Sequence, residues 1–226
     1  DQRIQAAASR IVELGIADVI LLAGADELSE LKGCTVIDPG SSPMLERYAQ
    51  QYAAGPRSVS AAVAQRAVKK PLYFAGMMVR AGDAETMVAG IANPTRRVIE
   101  AARLSIGLSD DIETPSSFFI MKPRNGLPMV FADCAVNVDP SSEQLADIAI
   151  AAAASAEQLL TEEPRIAMLS FSTKGSANHP HADKVIKAVE RVHEKSPGLL
   201  VDGAIQADAA IVPEVAALKL DSGSDV

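Results

Sequence analysis

The sequence predicts an α/β protein of two domains with mostly parallel central sheets, spanning residues 1–110 and 111–226. Three observations predict it. Short apolar runs such as "DVILLAG", "RIAMLSF" and "LLVDG" alternate with segments whose apolar residues recur at helical spacing. The runs are continuous rather than alternating polar and apolar, as a parallel sheet covered on both faces requires. Between residues 108 and 115 the alternation breaks, and two β-rich runs then follow one another directly, which separates one α/β set from the next.

Taken in order, Ile4, Ala8, Ile11 and Leu14 or Ile16 recur at helical spacing, and Gly15 can close that helix before a strand over 18–24. "ADELSELKG" and "CTVIDPG" repeat the helix and strand. Two helical segments follow, "PMLERYAQQYAAG" and "SVSAAVAQRAVKK". "PLYFAGMMVRAGDAETMVAG" reads as a helix, a turn at Gly82-Asp83 and a strand ending at Gly90. Thr95 caps "RRVIEAARLSIGL", with Val98, Ala102 and Ile106 on one face. "SSFFIM" and "MVFADCAVN" form a hairpin turning at Asn125-Gly126. Asp139 as cap and Pro140 at the first position open a helix lined by Leu145, Ile148, Ala152, Ala156 and Leu159. After it come strand "RIAMLSF", helix "ADKVIKAVERVHE" with Val185, Val189 and Val192 inward, strand "LLVDG" and helix "QADAAIVPEVAALK".

Composition narrows the function classes. With 48% hydrophobic residues, 4% aromatic and no Trp, the core must be built mainly from Ala, Val, Ile, Leu and Met, a soluble globular profile. A net charge of -8 argues against nucleic-acid and anionic-membrane surfaces. Cys34 and Cys134 lack metal-ligand or disulfide spacing, which favours an intracellular, cytoplasmic protein. The apolar run at 148–156 falls short of the roughly 20 residues a spanning helix needs. We expect no metal. The chain opens on Asp1 inside a helical pattern and stops at "LDSGSDV", so we expect a piece cut at both ends.

In doubly covered sheets ligands bind beyond the carboxyl ends of strands. "ADCAVN", "SFSTKGSA" and "VDGAIQADAA" place polar residues at such ends. If the strands are neighbours, Cys134, Asn137, Ser172, Thr173, Lys174, Gly175, Ser176, Asp202, Gln206 and Asp208 converge on one crevice. Hydroxyls, backbone N–H groups, a lysine and a close-approach glycine suit an oxyanion. Composition alone fits an ordinary polar loop equally well. The P-loop pattern is absent, which argues against nucleoside triphosphate chemistry. Cys134 at a strand end is more often a small core residue than a nucleophile. His179 and His181 read as a solvated helix entry, and His193 as a surface residue.

"FADCAVN", "PRIAMLSFSTKGSA" and "VDGAIQADAAIVPEVAALK", in that order, resemble the phosphate acetyl/butyryl transferase family over the whole chain. The resemblance implies two α/β domains with an interdomain cleft, an architecture like that of isocitrate and isopropylmalate dehydrogenases, and a homodimer. It implies the reversible conversion of acetyl-CoA and phosphate to acetyl phosphate and CoA by thiolate attack in a ternary complex. CoA or acetyl-CoA is then substrate, with no tightly bound cofactor. By the same resemblance Ser172, Thr173, Lys174, Gly175 and Ser176 hold the phosphoryl group, while Cys134 and Asn137 line the cleft. Asp202, Gln206 and Asp208 match the last motif, and Arg97 and Arg57 match arginines that contact CoA. We group Ser172, Lys174, Cys134, Asp202 and Asp208 as candidate catalytic residues. Ala204 stands where the family commonly has Glu, and "GIANPTRR" replaces a His-Ser-rich turn.

The family's base lies in a Ser-Arg-Gly segment that this sequence does not contain. The base is expected beyond residue 226, and the isolated piece is expected to be inactive. Three alternatives stay open: an acetyl-CoA-sensing domain like that at the C-terminus of some malic enzymes, a phosphate butyryltransferase, and a pyridine-nucleotide dehydrogenase of shared fold. The hydroxyl-rich loop and the missing metal-binding aspartate cluster weigh against the last.

Overall fold

Gly15 shows how local sequence sets the first element of this computed structural model. Helix α1 (Gln2–Glu13) starts at Asp1, whose carboxylate accepts from the Arg3 N–H. It ends in a Schellman turn: the Gly15 and Ile16 N–H groups donate to the Val12 and Ile11 carbonyls, with Gly15 at φ 62°. The structure describes residues 1–24, 31–55, 58–109, 112–124, 126–160, 163–174, 176, 178–220 and 224. The segment "ADELSE" of the second predicted helix, and Asn125 of the predicted hairpin turn, lie outside them. The described residues gather into two units, Asp1–Leu108 and Ser109–Val226.

In the first unit, β1 (Val19–Leu22) and β2 (Cys34–Ile37) pair in parallel, Val19 opposite Cys34. Helices α2 (Leu45–Ala53), α3 (Ala61–Val68), α4 (Pro71–Arg80) and α5 (Thr95–Ser105) complete it. Tyr48, Val68, Phe74, Met77 and Met78 form the core. The Tyr48 and Phe74 rings meet edge-on at 5.0 Å, and the Tyr48 hydroxyl donates to Asp83, which also pairs with Arg47. Two expectations fail here. Residues 84–90 form no strand: the segment has no ladder partner, and Val88 is 91% exposed. Pro94, not Thr95, caps α5, because the Pro94 carbonyl accepts from Arg97 and Val98 and Thr95 is already helical.

In the second unit, β3 (Phe118–Met121) and β4 (Met129–Ala132) form the predicted antiparallel hairpin. Helix α6 (Ser142–Leu159) is capped by Ser141 rather than Asp139. The Ser141 hydroxyl accepts from the Gln144 N–H, and the Gln144 side chain accepts from the Ser141 N–H, a capping box. Asp139 pairs instead with Lys184. The buried face of α6 is Ala146, Ile148, Ala149, Ala153 and Ala156, rotated from the predicted stripe, and Leu159 is exposed.

Strands β5 (Arg165–Leu169) and β6 (Leu200–Ile205) are parallel, linked by α7 (Pro180–Lys195). Val185, Val189 and Val192 of α7 face inward as expected, packing with Met168, Val201 and Ala204 and with Ala146 and Ala149 of α6. The predicted last helix is two, α8 (Ala207–Ile211) and α9 (Pro213–Lys219), because Pro213 forces Val212 into an extended conformation. Among the described residues the sheets are small, two parallel pairs and one hairpin. Each strand has one neighbour among the described residues, and Ile20, Val36 and Leu169 stay exposed, so the faces are not fully covered. Asp147, buried on α6, accepts from Thr114 and Lys195 and ties residue 114 to the end of α7.

Gly203 is the tightest point of this packing. A Cβ there would lie 2.6 Å from Met168 Cβ and 2.8 Å from the Met168 carbonyl oxygen, a backbone atom that cannot swing away. Gly203→Ala is therefore expected to lower unfolding free energy by about 1–3 kcal/mol in denaturant titration. Gly198→Ala, with nothing within 4 Å, is expected to stay within about 0.5 kcal/mol of the parent.

Candidate functional site

The segment after β5 is stitched to β6 by its backbone. The Ser170 N–H donates to the Ile205 carbonyl at 2.9 Å, and the Lys174 N–H to the Ala204 carbonyl at 2.9 Å. This folds residues 170–174 over the carboxyl end of the parallel pair. Ser172 and Thr173 are only 2% and 7% exposed, and buried hydroxyls need partners. The Ser172 and Ser176 hydroxyls lie 2.9 Å apart. The Thr173 hydroxyl donates to Gln206 Oε1 at 3.3 Å and accepts from the Gln206 N–H at 3.2 Å.

Charges flank the hydroxyls in two pairs. Lys174, exposed and at φ 47° in the left-handed region, pairs with Asp202. Asp202 Oδ1 also accepts from the Gly203 N–H at 2.7 Å. Burial pushes the Asp202 carboxyl up, but the Lys174 hydrogen bond and charge, with the Gly203 N–H, hold it below the usual range. The second pair escaped the sequence reading. Lys219 Nζ donates to Asp208 Oδ2 at 2.7 Å and to Gln206 Oε1 at 3.1 Å. The Lys219 hydrogen bond, with the Ala209 N–H, lowers the Asp208 pKa. The pairing spans eleven positions and a helix break, so no local spacing announced it.

Thus Ser172, Thr173, Lys174, Ser176, Asp202, Gln206 and Asp208 come together around one loop. Gly175 lies outside the described residues. Cys134 and Asn137 belong to a different network, because β4 pairs with β3 and not with β5 or β6. Its centre is Asp133, a residue the sequence reading passed over inside "ADCAVN". Asp133 accepts from the Ser117 hydroxyl and N–H, from the Ala135, Val136 and Asn137 N–H groups, and from the Asn137 side-chain amide. Asn137 also donates to the Pro115 carbonyl at 2.9 Å, and the Cys134 thiol donates to the Phe131 carbonyl. Arg97 sits exposed on α5 in the first unit, and Arg57 lies outside the described residues. His179 caps α7 by accepting from the His181 N–H. Among the described residues no three His, Cys, Asp or Glu side chains gather as a metal site, and no helix is long and apolar enough to cross a membrane.

Hydroxyls, N–H groups and an ammonium at a strand end are donors for an oxyanion. Comparison with known proteins places this loop in context. The sequence profile of the phosphate acetyl/butaryl transferase family matches residues 1–224. The chain belongs to that family. It is 38% identical over 233 residues to a phosphate acetyltransferase of Thermoanaerobacterium thermosaccharolyticum, covering 97% of this chain and 71% of that protein. Among solved structures it resembles a phosphotransacetylase from Streptococcus pyogenes with TM-score 0.87 and 32% identity, over 99% of this chain and 71% of that one. The EutD phosphotransacetylase from Staphylococcus aureus superposes with TM-score 0.85 at 30% identity, over 97% and 70%. Within the family the "ADCAVN" loop of this chain owes its shape to one carboxylate.

That carboxylate yields a test. Burial pushes the Asp133 pKa up, but the hydrogen bonds from Ser117 and Asn137 outweigh it and hold the group far below the usual carboxylate range. A lowered folded pKa contributes stability that is complete above the unfolded value of about 3.9 and is lost as pH falls further. Asp133→Asn is expected to be less stable than the parent at about pH 6, with the gap narrowing below about pH 4. Denaturant titrations of both proteins across that range check it.

Proposed function

We propose that this chain carries the phosphate side of a phosphate acetyltransferase, which converts acetyl-CoA and phosphate reversibly to acetyl phosphate and CoA. The observation that carries the reading is the hydroxyl and lysine loop folded over the end of β5 and β6, in a chain matched by the family over residues 1–224. In the direction of acetyl-CoA synthesis, the CoA thiolate attacks the carbonyl carbon of acetyl phosphate, the C–S bond forms, and the bond to the phosphoryl oxygen breaks. Phosphate leaves with that electron pair. Ser172 and Ser176 donate hydrogen bonds to the phosphoryl oxygens, Thr173 turns its one hydroxyl proton to them from Gln206, and Lys174 offsets the charge that grows there. Gly175 lets the backbone come close.

Asp202 and Asp208 act through Lys174 and Lys219, so we assign them positioning roles rather than proton transfer. Gln206 holds Thr173 in place. Cys134 and Asn137 line the acyl side, and Arg97 and Arg57 contact CoA. The reading requires no metal and no tightly bound cofactor, and it includes a homodimer, a cytoplasmic location and the dehydrogenase-like architecture.

The test is phosphate-dependent release of CoA from acetyl-, propionyl- and butyryl-CoA by the full-length protein that carries this sequence. Turnover is expected, fastest with acetyl-CoA. Lys174→Ala is expected to raise the KM for phosphate about 10- to 100-fold, the size of one lost charge-assisted hydrogen bond. Binding of acetyl-CoA without turnover would make the chain a sensing domain instead, and preference for butyryl-CoA would make it a butyryltransferase.

A further inference from the structure

The lysine of the anion loop is not presented to solvent as a free charge. Its backbone N–H is held by the Ala204 carbonyl and its ammonium by the Asp202 carboxylate, two residues of the same strand. The Asp202 side chain is 16% exposed against 45% for Lys174, so the anchor is the better buried partner. Asp202 is in turn held by the Gly203 N–H at 2.7 Å. The Lys174 backbone sits in the left-handed region, a conformation that persists only where its surroundings hold it. Both ends of Lys174 are therefore fixed from β6.

We propose that Asp202 is a positioning residue, which fixes the Lys174 ammonium beside the loop and, by its own charge, weakens the hold on phosphate so that the anion can leave. The inference rests on the reading that this loop takes the phosphoryl group. An oxyanion that touches Lys174 shares that ammonium with the Asp202 carboxylate, at a separation where like charges still repel. Lys219 and Asp208 repeat the pattern on the other flank. The two lysines and two aspartates sum to zero charge, so the hydroxyls and the Lys174 ammonium hold the anion by direct hydrogen bonds rather than through a net positive field. A reversible transfer needs that balance, because phosphate must bind in one direction and depart in the other.

Binding of inorganic phosphate to the full-length protein, by calorimetry and by its KM, tests this in a set of variants. Asp202→Asn keeps an oxygen that can accept from Lys174 but removes the charge. It is expected to tighten phosphate about tenfold and to lower kcat in the direction that releases phosphate. Asp202→Glu, which keeps the charge, is expected to stay within about twofold of the parent. Asp202→Ser repeats the neutralisation with a smaller side chain and is expected to tighten phosphate even if the Asn variant does not fold. Unchanged or weaker phosphate binding in the folded neutral variants overturns the inference. Should Lys174→Ala leave phosphate affinity unchanged, the clamp itself is wrong. If Lys174→Ala weakens phosphate while neutral Asp202 variants do not tighten it, only the role of Asp202 falls.

Discussion

The parallel register of β5 and β6 is the constraint on which the candidate site depends. Two backbone hydrogen bonds extend it past the end of β5, from Ser170 to Ile205 and from Lys174 to Ala204. They bring the hydroxyl run of one strand end beside Asp202 and Gln206 of the other. The register itself rests on Gly203, where no side chain fits against Met168, and on the Val185, Val189 and Val192 stripe of α7. Packing energy in the second unit therefore sets polar geometry at its edge.

Electrostatic balance is the second theme. Among the described residues every ionised group in the loop's hydrogen-bond network has an opposite partner, Lys174 with Asp202 and Lys219 with Asp208. An uncompensated charge at the part-buried Asp202 is costly, so its pairing with Lys174 stabilises the loop before any ligand arrives, whereas the exposed Lys219–Asp208 pair contributes little. Asp133 solves a related problem differently. Its single carboxylate gathers main-chain N–H groups of the Cys134 to Asn137 turn, whose backbone donors would otherwise lack strand partners.

Much of the fold was legible in the sequence because it follows local periodicity. The α7 face, the hairpin and the Gly15 helix stop were each readable from spacing or turn chemistry. The misreadings share a cause: two local signals competed, and distant contacts chose between them. Asp139 and Ser141 both make good caps, but Lys184 engages Asp139 and Gln144 completes the box with Ser141. "ETMVAG" had strand composition but no partner. Pro213 is a local exception: it holds Val212 extended and splits the last helix although the apolar pattern runs on across it.

For the site, the sequence by itself determined which chemistry was available. The run of Ser172, Thr173, Lys174 and Ser176, and its order relative to "ADCAVN" and "VDGAIQADAA", pointed to an oxyanion and to a family. Only the tertiary structure decided which residues share a network. It joined Lys174 to Asp202 and Gln206 to Lys219, and it gave Asn137 to Asp133 and Cys134 to Ser117 and Phe131 instead. The physical reason is that donors and acceptors are local properties of residues, whereas hydrogen-bond partners are fixed by strand pairing and by where helices end.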